Sequence, residues 1–190
     1  MRNWRKYTMF QDLHSGHIGA GQAPSEIRSW KAPAEGWVKL NVDGVMVMST
    51  SKAACGGVLR NSNGMWIAGF TKMIGTCSAS TAEEWAVYEG LRLARDLGLK
   101  KIISEFDAYD VINRLVDDNF TSGSLLVGWI KELMIRDWLV TMCHILRELI
   151  RIADVLAKLG LNRSNILSDC FLYLRAWIDQ ECLELIPSIM

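Results

Sequence analysis

The chain has 190 residues, half of them hydrophobic and 22% charged, which suits a single globular domain and excludes extensive disorder or a fibrous repeat. Twenty-one basic residues balance twenty-one acidic ones, so no global field of either sign advertises a polyanion or membrane partner, and any such partner must be held locally. The five cysteines are odd in number and include no C-x-x-C, which points to reduced thiols and an intracellular protein rather than a disulfide framework.

In chain order, residues 1–33 mix polar residues and glycine, as in "HSGHIGAGQAPS", and read as a flexible leader or linker. The early charges of "MRNWRK" have no apolar run behind them that would make a signal peptide, and no stretch approaches transmembrane length. His14 and His17 have metal-like spacing but no Cys or His partner nearby, so they read as loop histidines. From "VKLNVDG" the pattern is that of a strand: Val38, Leu40 and Val42 alternate with Lys39, Asn41 and Asp43, and Gly44 is expected to end it. "ACGGVLRN" and "MWIAGFTKMI" follow as strands joined by the turn "NSNG", giving a three-stranded antiparallel meander.

The period then becomes helical through "STAEEWAVYEGLRLARDLGL", with Ser80 or Thr81 expected as cap, Glu83 and Glu84 in the first turn, and Gly98 at the end. A strand "KIISEFD", the amphipathic "AYDVINRLVDD", a loop "NFTSGS" and the helix "LLVGWIKELMIRDW" come next. "LVTMCHIL" reads as the last strand, before the helix "RIADVLAKLG". That order predicts an α/β domain over residues 34–162, a mixed sheet with helices packed on it and right-handed crossovers between parallel strands. Residues 163–190 carry Ile166, Phe171, Leu174, Ile178 and Cys182 at near-helical spacing and are expected to form a helical extension over an edge of the core, with partner binding as the other option.

Four acids stand out. Asp43 and Asp107 close strands, and in open α/β sheets the crevice forms beyond strand ends. At about 100° per residue, Glu83 lies near the apolar face of its helix beside Gly90 and Ala94, whereas Glu84 is expected to face water. Asp154 sits early in an apolar-striped helix, where it can complement the macrodipole and pair with Lys158, or approach the other acids beside small Ala153 and Ala157.

"WVKLNVDG", "CGGVLRNSNGMWIAGF", "AEEWAVYEGLRLARDLGLKKIISEFD" and "HILRELIRIADVLAKLG" together resemble the ribonuclease H-like domain of plant proteins of retroelement, non-LTR reverse transcriptase, origin. The resemblance runs from about Trp30 to Gly160. It implies a ribonuclease H-like fold, a five-stranded mixed sheet flanked by helices. It also implies that Asp43, Glu83, Asp107 and Asp154 are catalytic metal ligands, in agreement with the helical-face choice of Glu83. The implied reaction is metal-dependent hydrolysis of the RNA strand of an RNA–DNA hybrid, with two Mg²⁺ ions about 3.5–4 Å apart and Mn²⁺ as a substitute. His144 stands where some members keep a mobile histidine for proton relay and others an aromatic or apolar residue. Gly44, Gly57, Asn61, Ser80, Thr81 and Arg147 fall where the chain can meet nucleic acid, although tight turns account for the glycines equally well. The expected partner is the hybrid, without a membrane, and the expected protein is a monomer or a piece of a larger retroelement protein.

The chain also departs from the family pattern. "RELI" puts Ile150 where an asparagine usually caps the last helix, a loss of about 1 kcal/mol that loosens the hold on Asp154. Phe106 replaces a small residue beside Asp107 and is expected to crowd or desolvate it, "VMVMSTSKAA" lacks the usual glycine-rich polar loop, and no basic handle helix is evident. Ile150 and the balanced net charge support the other reading, a retroelement-derived nucleic-acid-binding domain whose chemistry has decayed.

Overall fold

A computed structural model describes residues 29–117 and 124–162, so the expectations for most of the leader, for His14 and His17, for residues 119–123 of the "NFTSGS" loop and for the C-terminal extension lie outside the described residues. Five strands, β1 (Val38–Met46), β2 (Lys52–Arg60), β3 (Trp66–Thr76), β4 (Lys101–Phe106) and β5 (Leu139–His144), form one sheet in the order β3-β2-β1-β4-β5. β1, β2 and β3 pair antiparallel, and β4 and β5 are added parallel to β1, as the order of elements predicts. The helices are α1 (Ala79–Asp96), α2 (Tyr109–Val116), α3 (Leu125–Met134) and α4 (Arg151–Leu161). Among the described residues, no helix is long and apolar enough to cross a membrane.

Strand alternation divides the sheet into two faces. Leu40, Val42, Leu59, Ile102 and Phe106 point to one face, where they form the main core with Val87 and Leu91 of α1 and Ile130 of α3. Val58 points to the other face, where it packs with Ile152 and Leu156 of α4. Phe106 is therefore part of the main core, and its neighbour Asp107 belongs to the opposite side; the expected crowding of Asp107 does not occur.

Four local expectations are corrected. β1 does not end at Gly44, because β2 keeps pairing with it through Gly44–Cys55, Val45–Ala54 and Met46–Ala53. α1 begins earlier than Ser80, since the side chain of Ser78 accepts the N–H of Thr81 at 3.1 Å and caps the helix at Ala79. Glu83 thus lies in the second turn rather than the first. Glu84 does not face water: it is buried, paired with Arg114 of α2 at 3.0 Å and accepting from Ser124 at 2.9 Å, because α2 and α3 cover the side of α1 that periodicity alone leaves open. Trp30, assigned to the leader, stacks on the Arg60 guanidinium at 3.4 Å and donates to Glu105 at 3.1 Å, so ordered packing begins before residue 34.

Ile150 occupies the N-cap of α4 and makes no side-chain cap bond, as the sequence suggests. Its side chain is only 1% exposed, so apolar burial holds this end of α4 in place of a cap. The preceding turn, Arg147–Leu149, is a short 3-10 helix whose Arg147 carbonyl accepts the Ile150 N–H at 3.1 Å.

Two glycines set how closely helices approach β1 and β2. A Cβ on Gly44 would lie 2.3 Å from the backbone N of Glu83, and a Cβ on Gly56 would lie 2.3 Å from the backbone N of Ala157. Both obstacles are helix backbone, which cannot swing aside. Gly44→Ala and Gly56→Ala are each expected to cost about 1–3 kcal/mol by overpacking. Gly128→Ala in α3, with nothing within 4 Å of the new methyl, is expected to stabilise by about 0.5–1 kcal/mol. Urea unfolding midpoints of the three variants check this, and a tolerated alanine at position 56 would contradict the close approach of α4.

Candidate active site

The register of β1 and β4 opens the site. Their parallel pairing reaches Asn41 with Glu105 and goes no further. Asp43 and Asp107 stand two residues beyond that pair on the same face, where the strands part at their carboxyl ends. From α1, seated against Gly44, Glu83 reaches into the same gap and its Oε2 accepts the Gly44 N–H at 3.1 Å. The carboxylates of Asp43, Glu83 and Asp107 each place an oxygen within 4.8 Å of the others.

Asp154 enters from the other side of the sheet on α4, beside Gly56, and is 16% exposed. It stands outside the three-acid group. One oxygen accepts Arg147 Nη2 at 2.9 Å and the other accepts Lys158 Nζ at 2.5 Å, which is the i,i+4 pairing that the sequence allows. Arg147 also reaches toward Asp107 at 3.9 Å, so it lies between the triad and Asp154.

Comparison with known proteins identifies the domain that carries these acids. The family model described as "Reverse transcriptase-like" matches residues 41–160. The chain belongs to that family. A protein of Arabidopsis thaliana that carries a ribonuclease H name is 36% identical over 157 residues, covering 80% of this chain and 25% of its own length. The chain thus spans about a quarter of that relative. RNase H1 from Halobacterium salinarum superposes with a TM-score of 0.61 at 26% identity, over 67% of this chain and 99% of that one. LC11-RNase H1, solved in complex with an RNA/DNA hybrid, shares the fold with a TM-score of 0.59 at 17% identity, over 66% of this chain and 96% of its own. The architecture is therefore that of the ribonuclease H fold, and the reverse transcriptase-like motifs are a retroelement-type version of it.

Within this domain the acids have unequal environments. Asp43 is fully buried and neither of its carboxylate oxygens has a hydrogen-bond partner. Burial first, then the negative charges of Asp107 and Asp154, push its pKa up to about 7 against the pull of Arg147 and Lys158. Burial, with Asp43 and Asp107 adding to it, pushes Glu83 up to about 9 despite the Gly44 hydrogen bond. Asp154 goes the other way: burial would raise it, but the hydrogen bonds from Lys158 and Arg147 outweigh that and hold it below the usual carboxylate range.

An ionised carboxylate buried without a partner is unstable unless a cation joins it. Three convergent carboxylates with only oxygen donors are a ligand set for a hard divalent ion such as Mg²⁺ or Mn²⁺, so the residues fit the metal that the family implies.

The remaining candidates are spread more widely. His144, at the end of β5, places Nε2 3.2 Å from the main-chain oxygen of Asp107 and its ring edge-on to Tyr109 at 5.6 Å. It therefore touches the backbone that carries Asp107. Ser80 donates to Asp110 at 3.0 Å and accepts from Arg114, and Thr81 bonds Ser78 at 2.9 Å, so both lie at the start of α1 inside a local network. Gly57 sits inside the sheet, where a Cβ would meet Phe70 at 2.6 Å, and packing accounts for it. Asn61 lies just past the end of β2, five residues beyond Gly56, the partner of Asp43, and its side chain closes the hairpin turn by accepting Asn63 N–H at 2.9 Å and Met65 N–H at 3.0 Å. Periodicity missed Gly56, whose role beside Asp43 becomes visible only when α4 is placed.

The raised acids make stability depend on pH. A carboxyl whose folded pKa lies above its unfolded value stabilises the fold below the unfolded pKa, near 3.8 for Asp43, and that contribution is gone once the pH passes about 7. Without divalent ions, the melting temperature of Asp43→Asn relative to wild type is expected to climb between about pH 4 and pH 7 and then level off. Circular dichroism melts across that range check the sign, and two curves running parallel would show that Asp43 is not a strained carboxylate.

Proposed function

We propose that this domain hydrolyses the RNA strand of RNA–DNA hybrids in a divalent-metal-dependent reaction. The observation that carries the reading is the buried Asp43 carboxylate, unbonded and grouped with Glu83 and Asp107 at the parting of β1 and β4. Asp43, Glu83 and Asp107 would hold one Mg²⁺, and Asp43 with Asp154 would hold a second, with Mn²⁺ able to replace either. Bound there, the two ions supply Lewis acidity and an activated water for displacement at phosphorus.

The chain's own residues do the rest. Asp43, common to both positions, has no competing hydrogen bond, so both of its oxygens would be available as ligands. Glu83 is steadied by the Gly44 N–H, which fixes the side from which a water can be oriented. Arg147, exposed at the mouth of the crevice, can turn from Asp154 to a phosphate oxygen as the substrate arrives. Lys158 is then left to balance Asp154. His144 acts as a positioning residue, holding the Asp107 backbone through its carbonyl. Selection of hybrid over duplex DNA rests on 2′-hydroxyl contacts across the shallow minor groove. The functional unit is a monomeric domain of a larger retroelement protein, which accords with the quarter of the Arabidopsis relative that it spans.

A specific observation supports the second reading. Asp154 is fully engaged by Arg147 and Lys158, so a domain that binds nucleic acid without cutting would keep this arrangement unchanged.

Cleavage of a doubly labelled RNA–DNA hybrid in Mg²⁺ and in Mn²⁺ decides between them. The expected result is scission of the RNA strand alone, abolished by chelation. Asp43→Asn should lower it by about 100-fold or more, beyond the loss typical of residues that only orient metal ligands. Hybrid binding by a folded protein with no cleavage in either metal would establish the decayed binding domain instead.

A further inference from the structure

A second site lies at the far end of α1. Arg95 is twelve residues beyond Glu83, which is about 18 Å along the helix, so this end is remote from the acids. Here Tyr88, Arg92 and Arg95 of α1 face Trp129, Glu132 and Arg136 across an open cleft of about 270 Å³. Three guanidinium groups stand against one carboxylate in its walls. Arg92 is held by Glu89 at 2.8 Å and Arg136 only loosely by Glu132 at 3.4 Å, while Arg95 has no carboxylate partner among the described residues.

The cleft is also aromatic. Trp129 is 46% exposed, and its ring lies 5.9 Å from that of Tyr88 at a tilt of 47°. Tyr88 in turn meets Trp85 edge-on at 5.7 Å, and Lys72 sits over Trp85 at 4.9 Å. The result is a row of three rings flanked by cations, with its outermost member open to solvent. An indole left half in water among arginines does little for the core, since the same position filled by an aliphatic residue would pack without exposing a large apolar ring.

We propose that this cleft binds unpaired nucleotides of a single strand, with a base stacked on Trp129 and backbone phosphates held by Arg95 and Arg136. A flat exposed ring recognises any base through its π-face, and neighbouring arginines supply the anion-binding half of the contact. The space is about that of one nucleotide. A duplex does not satisfy the site, because its bases are already stacked on one another and offer no free face. The proposal does not rest on the acidic crevice being active.

The test uses the full chain in chelator, where no cleavage interferes. Binding of fluorescein-labelled twelve-nucleotide oligo-rA and oligo-dA is followed by anisotropy across a salt series, with an abasic strand of equal length alongside. Wild type should bind the base-bearing strands, and the tighter of the two names the natural strand type. Trp129→Ala should weaken that binding about tenfold, and the abasic strand should bind wild type as weakly. Arg95→Glu with Arg136→Glu should reduce affinity and flatten the salt dependence by about two charges. These arginines are exposed, so the double variant should stay folded with only a small drop in melting temperature, from the lost helix-end charge and the loose Glu132 pair, and serve where Trp129→Ala does not fold. Variants that bind single strands within about twofold of wild type, or an abasic strand that binds as well as oligo-rA and oligo-dA, would overturn the site. Hybrid cleavage, assayed separately, reports on the acids and not on this cleft.

Discussion

The structure turns on one unfavourable placement: a carboxylate, Asp43, in the middle of a central strand, fully buried and without a hydrogen-bond partner. Its surroundings follow from the way the sheet is built. Parallel pairing with β4 stops two residues earlier, which leaves a gap on one side. On the other side β2 continues, and Gly56 stands directly across from Asp43. Gly44 and Gly56 then let α1 and α4 come down onto opposite faces of the sheet at the same level, one bringing Glu83 and the other Asp154. A methyl group at either position would lift a helix and withdraw its acid.

Much of this is legible in the sequence, for reasons that differ from residue to residue. The strict alternation of Val38 to Asp43 and the Asn-Gly turn fix the meander, since both signals are local. Glu83 could be chosen over Glu84 because a helix projects the two about 100° apart and only one side carries the small residues that let it near a sheet. The same reasoning failed for Glu84, whose burial depends on Arg114 and Ser124, distant in sequence and brought in by α2 and α3. The end of β1 is hidden from local sequence for a similar reason. Gly44 reads locally as a strand breaker, yet β2 supplies partners through Met46 and the missing side chain serves the helix above.

Asp154 shows that a bland role and a functional one need not compete. Its bonds to Arg147 and Lys158 are those of an ordinary surface ion-pair cluster, and such exposed pairs contribute little to stability. The same bonds hold a carboxylate ionised within electrostatic reach of Asp43, where an unpaired fourth acid would push that group still higher. Arg147 thus offsets part of the repulsion among the acids. Ile150 completes the arrangement by anchoring the start of α4 through burial, so the missing asparagine cap does not leave Asp154 adrift.

The balanced net charge conceals a separation along α1. Toward its amino end, Glu83 joins Asp43 and Asp107; toward its carboxyl end, Arg92 and Arg95 meet Arg136. Basic residues in the last turn complement the helix dipole, which accounts for Arg95 in part. It does not account for Arg136, which lies beyond α3 on a different segment, or for a half-exposed indole between them. A chain with no overall field can hold a polyanion only through patches of this kind. On the two proposals together, cations gathered toward the end of α1 remote from Glu83 would draw a strand along the domain while leaving the crevice negative enough to take up metal.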